Sequence, residues 1–286
     1  MLDSVLRCLD AHADVNQERL MELLRIASIS ADSAYADEVE RAAHWVDARF
    51  REMGLASQVV ATDRHPLVYA ESPPVDGAPT VLVYGHYDVQ PPDPLDKWTT
   101  PPFEPDIRDG NVYARGATDD KGQMLTHVAS ASAWLKATGA LPLQVKFLIE
   151  GEEEVGSESL EKYLAQNADQ LRCDCVVISD TSQFAPGVPA ITYGLRGIAY
   201  YEVFLQGPSH DLHSGVFGGA VTNPAVALAN MLAGLVDDRG RITLPGFYDS
   251  VVELTSQQRS AFAALPFDET MFRAQIGVDA LGAGEA

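Results

Sequence analysis

Thr80-Val-Leu-Val-Tyr-Gly-His-Tyr-Asp88 decides how this chain folds. Residues 80–84 run without a polar break, the pattern of a strand covered on both faces, as in the parallel part of an α/β sheet. Gly85, His86 and Asp88 then follow at its carboxyl end, which is where open α/β sheets bind ligands. If the extended path continues, positions i and i+2 point the same way, so an imidazole and a carboxylate share one side of the strand end. An imidazole held by a carboxylate on one nitrogen and free on the other is a common metal-ligating arrangement. Taken alone, the pair reads first as a solvated His–Asp pair.

Outward from this strand, helical and strand periods alternate, the pattern of a layered α/β domain. Val39, Ala42, Ala43, Val46 and Phe50 make one helical stripe, stopped by Gly54, and short β-rich runs follow at 57–61 and 67–71. A second stripe, Met124, Val128, Ala131 and Leu135, leads to a strand over 143–149; a helix begins near Ser157, and a buried strand covers Val176 to Ile178. After about Tyr193 the character changes. Residues 199–205 alternate as in a sheet with one solvated face, and 222–235 reads as a helix with Pro224 in its first turn. The expectation is an α/β fold of two domains, 1–195 and an α+β domain over 196–286. The closing run, Leu281 to Ala286, completes no periodic element, so the chain reads as stopping inside the second domain.

Composition narrows the partners. Twenty Lys and Arg against 41 Asp and Glu give a formal net charge of −21, a field that repels nucleic acid and anionic lipid and attracts cations. With 46% hydrophobic and 21% charged residues the chain is ordinary globular material. Its 3 cysteines, Cys8, Cys173 and Cys175, offer no disulfide framework, and Cys-Asp-Cys lacks the second pair a zinc knuckle needs. The latter two read as small buried residues near a strand. No apolar run approaches the roughly 18 residues of a membrane span, and residues 1–5 have no leader character. These features point to the cytoplasm.

The carboxylates gather at strand ends. Asp119-Asp120 open the Met124 helix, where acids ordinarily complement the helix dipole. Glu152, Glu153 and Glu154 follow the 143–149 strand and Asp180 follows the 176–178 strand. Each cluster alone suits a solvated acidic loop or a helix cap, but four of them at corresponding places are a poor fit to chance. Oxygen ligands with one imidazole suit divalent zinc, manganese or cobalt, and a two-ion centre suits hydrolysis.

Five ordered motifs also resemble one family. They are Gly85-His-Tyr-Asp-Val-Gln-Pro91, Ala114-Arg-Gly-Ala-Thr-Asp-Asp-Lys-Gly122, Glu150-Gly-Glu-Glu-Glu-Val-Gly-Ser157, Ile178-Ser-Asp180 and Asp211-Leu-His-Ser-Gly215. The family is the co-catalytic metallopeptidases that include carnosinase, cytosolic non-specific dipeptidase, acetylornithine deacetylase and succinyl-diaminopimelate desuccinylase. Ile191-Thr-Tyr-Gly-Leu-Arg-Gly197 and the Asp211 motif resemble its dipeptidase branch. The resemblance implies a zinc-peptidase-like catalytic domain with an inserted lid and dimerisation domain, partial here. It implies two divalent ions, zinc first, with His86 and Asp180 on one, Asp119 bridging, and Glu154 on the other. Glu153 becomes the general base, Asp88 the acid steadying His86, and Glu152 takes no role. A cis peptide is implied between Asp119 and Asp120. His213 is implied to reach a partner subunit's active site and stabilise the oxyanion, which makes the protein a homodimer. His210 has no counterpart, and none of the 7 histidines matches the family's late metal histidine, so the second ion is expected to lack a ligand.

The expected activity is hydrolysis of the amide bond of a dipeptide or short peptide by metal-activated water. Deacylation of an N-acyl amino acid is the alternative within the family. A non-catalytic metal-binding or dimerisation module is the alternative outside it.

Overall fold

The strand expected over residues 80–84 runs two residues further, as Thr80–His86, so the extended path does carry His86 to the strand end. The computed structural model describes residues 1–185 and 187–282; the expectation for the last four residues lies outside them. The chain divides into two units, Met1–Gly194 and Leu195–Ala286.

The first unit begins with helices α1 (Leu2–Ala11), α2 (Ala13–Leu24) and α3 (Ala36–Glu52). Strands β1 (Ala56–Val60), β2 (Leu67–Glu71) and β3 (Thr80–His86) follow, then a short hairpin of β4 (Asp106–Arg108) and β5 (Asn111–Tyr113). Helix α4 (Lys121–Thr138), strand β6 (Gln144–Glu150), helices α5 (Glu158–Gln166) and α6 (Ala168–Leu171), and strand β7 (Cys175–Ile178) complete it. The main sheet has the order β1-β2-β6-β3-β7. β1, β2 and β6 pair antiparallel, whereas β3 runs parallel to both β6 and β7.

Side-chain alternation sorts the strands into two cores. Val68, Ala70, Val83, Phe147 and Ile149 face the stripe of α3 (Val39, Ala42, Val46, Phe50) and that of α4 (Met124, Val128, Ala131). Their neighbours in sequence, Leu67, Tyr69, Leu82 and Leu148, face Leu160 of α5 and Leu171 of α6. Both faces are therefore covered, as the uninterrupted apolar run of β3 requires.

This layering places the site. From the carboxyl end of β3 the chain leaves over one face through α4, and from that of β6 it leaves over the other through α5 and α6. Two parallel neighbours whose connections part to opposite faces leave a crevice at their carboxyl ends. His86 and Glu150, register partners across β3 and β6, stand at its rim.

β7 is the sheet's outer strand beyond β3, which corrects two expectations: Cys175 is exposed and Cys173 only partly covered, and the strand expected to be buried over Val176 to Ile178 leaves both of those residues exposed. All three cysteines are free. No helix among the described residues is long and apolar enough to cross a membrane.

The second unit contains α7 (Ser214–Phe217), α8 (Pro224–Ala233), α9 (Ser256–Ala263) and α10 (Glu269–Ile276). Asn223 accepts from the amides of Ala225 and Val226 to start α8, with Pro224 in the first turn as the sequence predicts. The strand expected over 199–205 does not form: Tyr200, Tyr201 and Phe204 are more than 80% exposed. A half-buried strand needs a neighbour to supply ladder bonds and a covered face, and the described residues of this unit offer only isolated bridges.

Candidate metal centre

His86 and Asp88 are both 0% exposed. His86 Nδ1 lies 3.1 Å from the carbonyl oxygen of Asp88 and 3.3 Å from its Oδ1. A carbonyl only accepts, so Nδ1 carries the proton and Nε2 faces the crevice. There Nε2 meets Asp119 Oδ1 at 3.1 Å and Asp180 Oδ2 at 3.4 Å. One ligand atom from each of His86, Asp119 and Asp180 lies within 4.8 Å of the others.

Each residue is brought there by a local cause. Asp119 ends the loop before α4, and its peptide bond to Asp120 is cis, as the resemblance implies. Asp120, at the N-cap position, makes no side-chain cap bond; its Oδ2 accepts instead from the amide of His86 at 3.1 Å. A β-carbon on Gly85 would stand 2.7 Å from that same oxygen, so the glycine lets α4 close onto the strand end. Asp88 joins the strand to the glutamates. It accepts from the amides of Glu153 at 3.3 Å and Glu154 at 3.1 Å, on the 3-10 turn Glu153–Val155.

The three glutamates separate by environment. Glu152 is buried and turned away: it accepts from the amide of His65 at 2.9 Å and of Ser159 at 3.2 Å. Ser157, expected to cap α5, donates its hydroxyl to Glu150 at 2.9 Å, and Glu152 takes the capping role. Glu154 accepts from Gln90 Nε2 at 2.8 Å and stands outside the tight group of three.

The field of the crevice calls for a cation. Burial alone would push the His86 imidazole down, yet Asp88, Asp120 and Glu153 carry it up to about 10. Burial pushes Asp120 up to about 7. Burial also raises Glu153 and Glu154, helped by repulsion from Glu154, Asp180 and Asp88 on the first and from Asp119 and Asp88 on the second. Buried oxygens of Asp120 and Glu150 have no hydrogen-bond partner. Crowded carboxylates around one imidazole, with Asp120, Glu153 and Glu154 raised chiefly by burial, are a donor set that fits a divalent ion.

A profile of peptidase family M20/M25/M40 matches residues 82–277. The chain belongs to this family. It is 34% identical over 291 residues to the Cys-Gly metallodipeptidase dug1 of Schizosaccharomyces pombe, covering 97% of this chain and 61% of that protein. It is 35% identical to the human Beta-Ala-His dipeptidase, over 96% of this chain and 57% of the relative. The crystal structure of human carnosine dipeptidase 1 superposes with a TM-score of 0.78 at 31% identity, over 98% of this chain and 62% of that one. The chain thus spans about 60% of the length of these relatives. The family and dipeptidase branch that the motifs resemble are the ones found, and so is the layered α/β fold.

Several residues packed around the His86 cluster carry no mark in the sequence. Ser30, 58 residues from its partner, donates to Asp88 Oδ2 at 2.6 Å, and Ser28 donates to the carbonyl of Tyr87 at 2.6 Å. Lys121, 0% exposed and pushed by burial down to about 7, donates to the carbonyls of Leu23, in the last turn of α2, and Ile26, just beyond it. Only the pairing of residues distant in sequence reveals these roles. His213, in the second unit, is exposed and its Nδ1 accepts from the amide of Gly215 at 3.0 Å, capping α7. His210 lies 3.2 Å from Ser209 Oγ, and His127, on α4, bonds Ser179.

Proposed function

We propose that this protein is a metal-dependent hydrolase that cleaves the amide bond of dipeptides or short peptides. The observation that carries the reading is the meeting of His86, Asp119 and Asp180 within 4.8 Å, beside a glutamate turn that Asp88 fastens to the same strand end. His86, Asp119 and Asp180 would hold one divalent ion, and Glu154, with Asp119 shared, a second. Zinc suits this mixture of nitrogen and oxygen donors, with manganese or cobalt as substitutes. Bound ions of this kind polarise a carbonyl and make water acidic near neutral pH.

The protein's own residues do the rest. Asp88 fixes the ring of His86 through Nδ1 and keeps Nε2 free. Glu153, raised by burial and by its acidic neighbours, takes the proton of the attacking water on a carboxylate oxygen and returns it to the departing amine nitrogen. Residues 1–195 form the catalytic domain on this reading and 196–286 belong to a lid and dimerisation domain. His213 stabilises the oxyanion from the other protomer of a homodimer, a role supported by the Asp211–Gly215 motif. Three free cysteines favour a reducing, cytoplasmic setting.

The test assays a panel of dipeptides before and after chelation, with zinc, manganese and cobalt added back singly. Hydrolysis should vanish with the metal and return with it. Glu153→Gln should lower turnover by about 10²–10⁴-fold and leave metal content unchanged, because a base is lost and no ligand is. Glu154→Gln should lower the metal content. Hydrolysis indifferent to chelation would defeat the proposal, and metal lost from Glu153→Gln would shift base and ligand by one residue.

A further inference from the structure

Gln123 and His127, one turn apart on α4, grip the segment that carries Asp180. Gln123 Nε2 donates to the carbonyl of Ser179 at 2.6 Å and to that of Thr181 at 3.0 Å, the residues on either side of the aspartate. His127 Nε2 lies 2.6 Å from Ser179 Oγ. β7 ends at Ile178, so no ladder bond reaches Asp180, and the α4 side chains supply the restraint that the sheet does not.

The orientation of the Gln123 amide is fixed by chemistry, since two carbonyls can receive only its NH2 group. Its Oε1 is consequently buried without a hydrogen-bond partner. An unpaired buried acceptor is destabilising, so the arrangement favours the position of the loop over the comfort of the side chain. Asp119 lies immediately ahead of the same helix. One end of α4 therefore sets both carboxylates that face His86 Nε2, Asp119 through the chain and Asp180 through Gln123.

We infer that Gln123, supported by His127, is a positioning residue for Asp180 and sets the affinity and geometry of the site for a divalent cation. The inference rests on the metal-centre reading above. Gln123 touches neither the ion nor the substrate; it holds the backbone on both sides of a ligand, and groups that orient ligands typically control affinity by about 10–100-fold.

The experiment titrates the whole chain with Co2+, following the dissociation constant by calorimetry and the coordination by visible absorption. Gln123→Met keeps the length and removes both donors; it should bind Co2+ about 10–100-fold more weakly with an altered spectrum. His127→Leu, which removes the bond to Ser179 Oγ and leaves both Gln123 donors in place, should weaken binding by about tenfold or less. Thr80→Val removes a hydrogen bond to Gln144 at the opposite end of β3 and serves as the control. It should leave affinity and spectrum unchanged even where its unfolding midpoint falls as far as that of Gln123→Met. Unaltered affinity and spectrum in both α4 variants would overturn the inference while leaving the metal centre standing. Equal Co2+ uptake by the wild type and His86→Ala would instead remove the metal centre itself, and the inference with it.

Discussion

Asp88 Oδ1 lies 3.3 Å from His86 Nδ1, with both side chains wholly buried. The same carboxylate accepts from Ser30 Oγ and from the amides of Glu153 and Glu154. One acidic group thereby aligns the end of β3, the segment after α2 and the glutamate turn. An amide in its place would present NH2 to at least one donor. Asp88→Asn should still take up metal at saturation, with affinity lowered by about tenfold and turnover lowered further. Titration with zinc against a competing chelator, alongside dipeptide turnover, checks this; unchanged values in both would remove Asp88 from the site.

Gly151 and Tyr87 meet at closer range. A β-carbon on Gly151 would stand 2.3 Å from Tyr87 Oη and 2.5 Å from its Cζ. The ring cannot retreat, because it is 0% exposed and its hydroxyl donates to the carbonyl of Pro66 at 2.5 Å. Gly151→Ala should therefore cost about 1–3 kcal/mol by overpacking. Urea unfolding measures the loss, and a midpoint equal to the wild type's would show that the ring has room to move.

How much of this was legible depended on whether a residue's partner was near in sequence. β2 falls on residues 67–71 as read, and the α3 stripe from Val39 to Phe50 faces the core, because period and burial are local signals. His86, Asp119 and Asp180 stood out by their places after strands and before a helix, and the fold joins them through sheet order. The hairpin of β4 and β5 has only three residues per strand, too few for a period to show. Nothing local marks Lys121 as buried; its cover comes from the end of α2 and the residues just beyond it, whose carbonyls it meets. Residues 199–205 alternate as a strand should, but alternation supplies only one requirement of a strand, and the partner is the other.

Glu152 gives a pH-dependent test outside the proposed ligands. Burial pushes its carboxyl up, but the amides of His65 and Ser159 with Arg64 nearby hold it below the usual 4.5. A carboxyl with a lowered folded-state pKa stabilises the fold above its unfolded pKa and loses that contribution as pH falls through the folded one. Glu152→Gln should thus be less stable than the wild type at pH 7. The gap between their urea midpoints should narrow as the pH drops below about 4.5. A constant gap across that range would mean that the carboxylate's charge contributes nothing to holding residues 62–65 against α5.

On the proposed reading, His213 joins the second unit to the chemistry. An imidazole that donates to a developing oxyanion binds more strongly as charge builds, so it lowers the barrier more than it tightens substrate binding. If that imidazole comes from the other protomer, each site combines Glu153 of one chain with His213 of its partner. His213→Ala and Glu153→Gln should then be nearly inactive separately, since every site in either homodimer lacks one group. Mixed in equal amounts and allowed to exchange, half of the dimers are mixed, and each mixed dimer has one intact site and one doubly altered site. Activity should recover to about a quarter of the wild-type value, as two-fold symmetry dictates. No recovery despite demonstrated exchange of subunits would place His213 in its own chain's site or outside the reaction, since a residue acting within its own chain cannot be supplied by a partner.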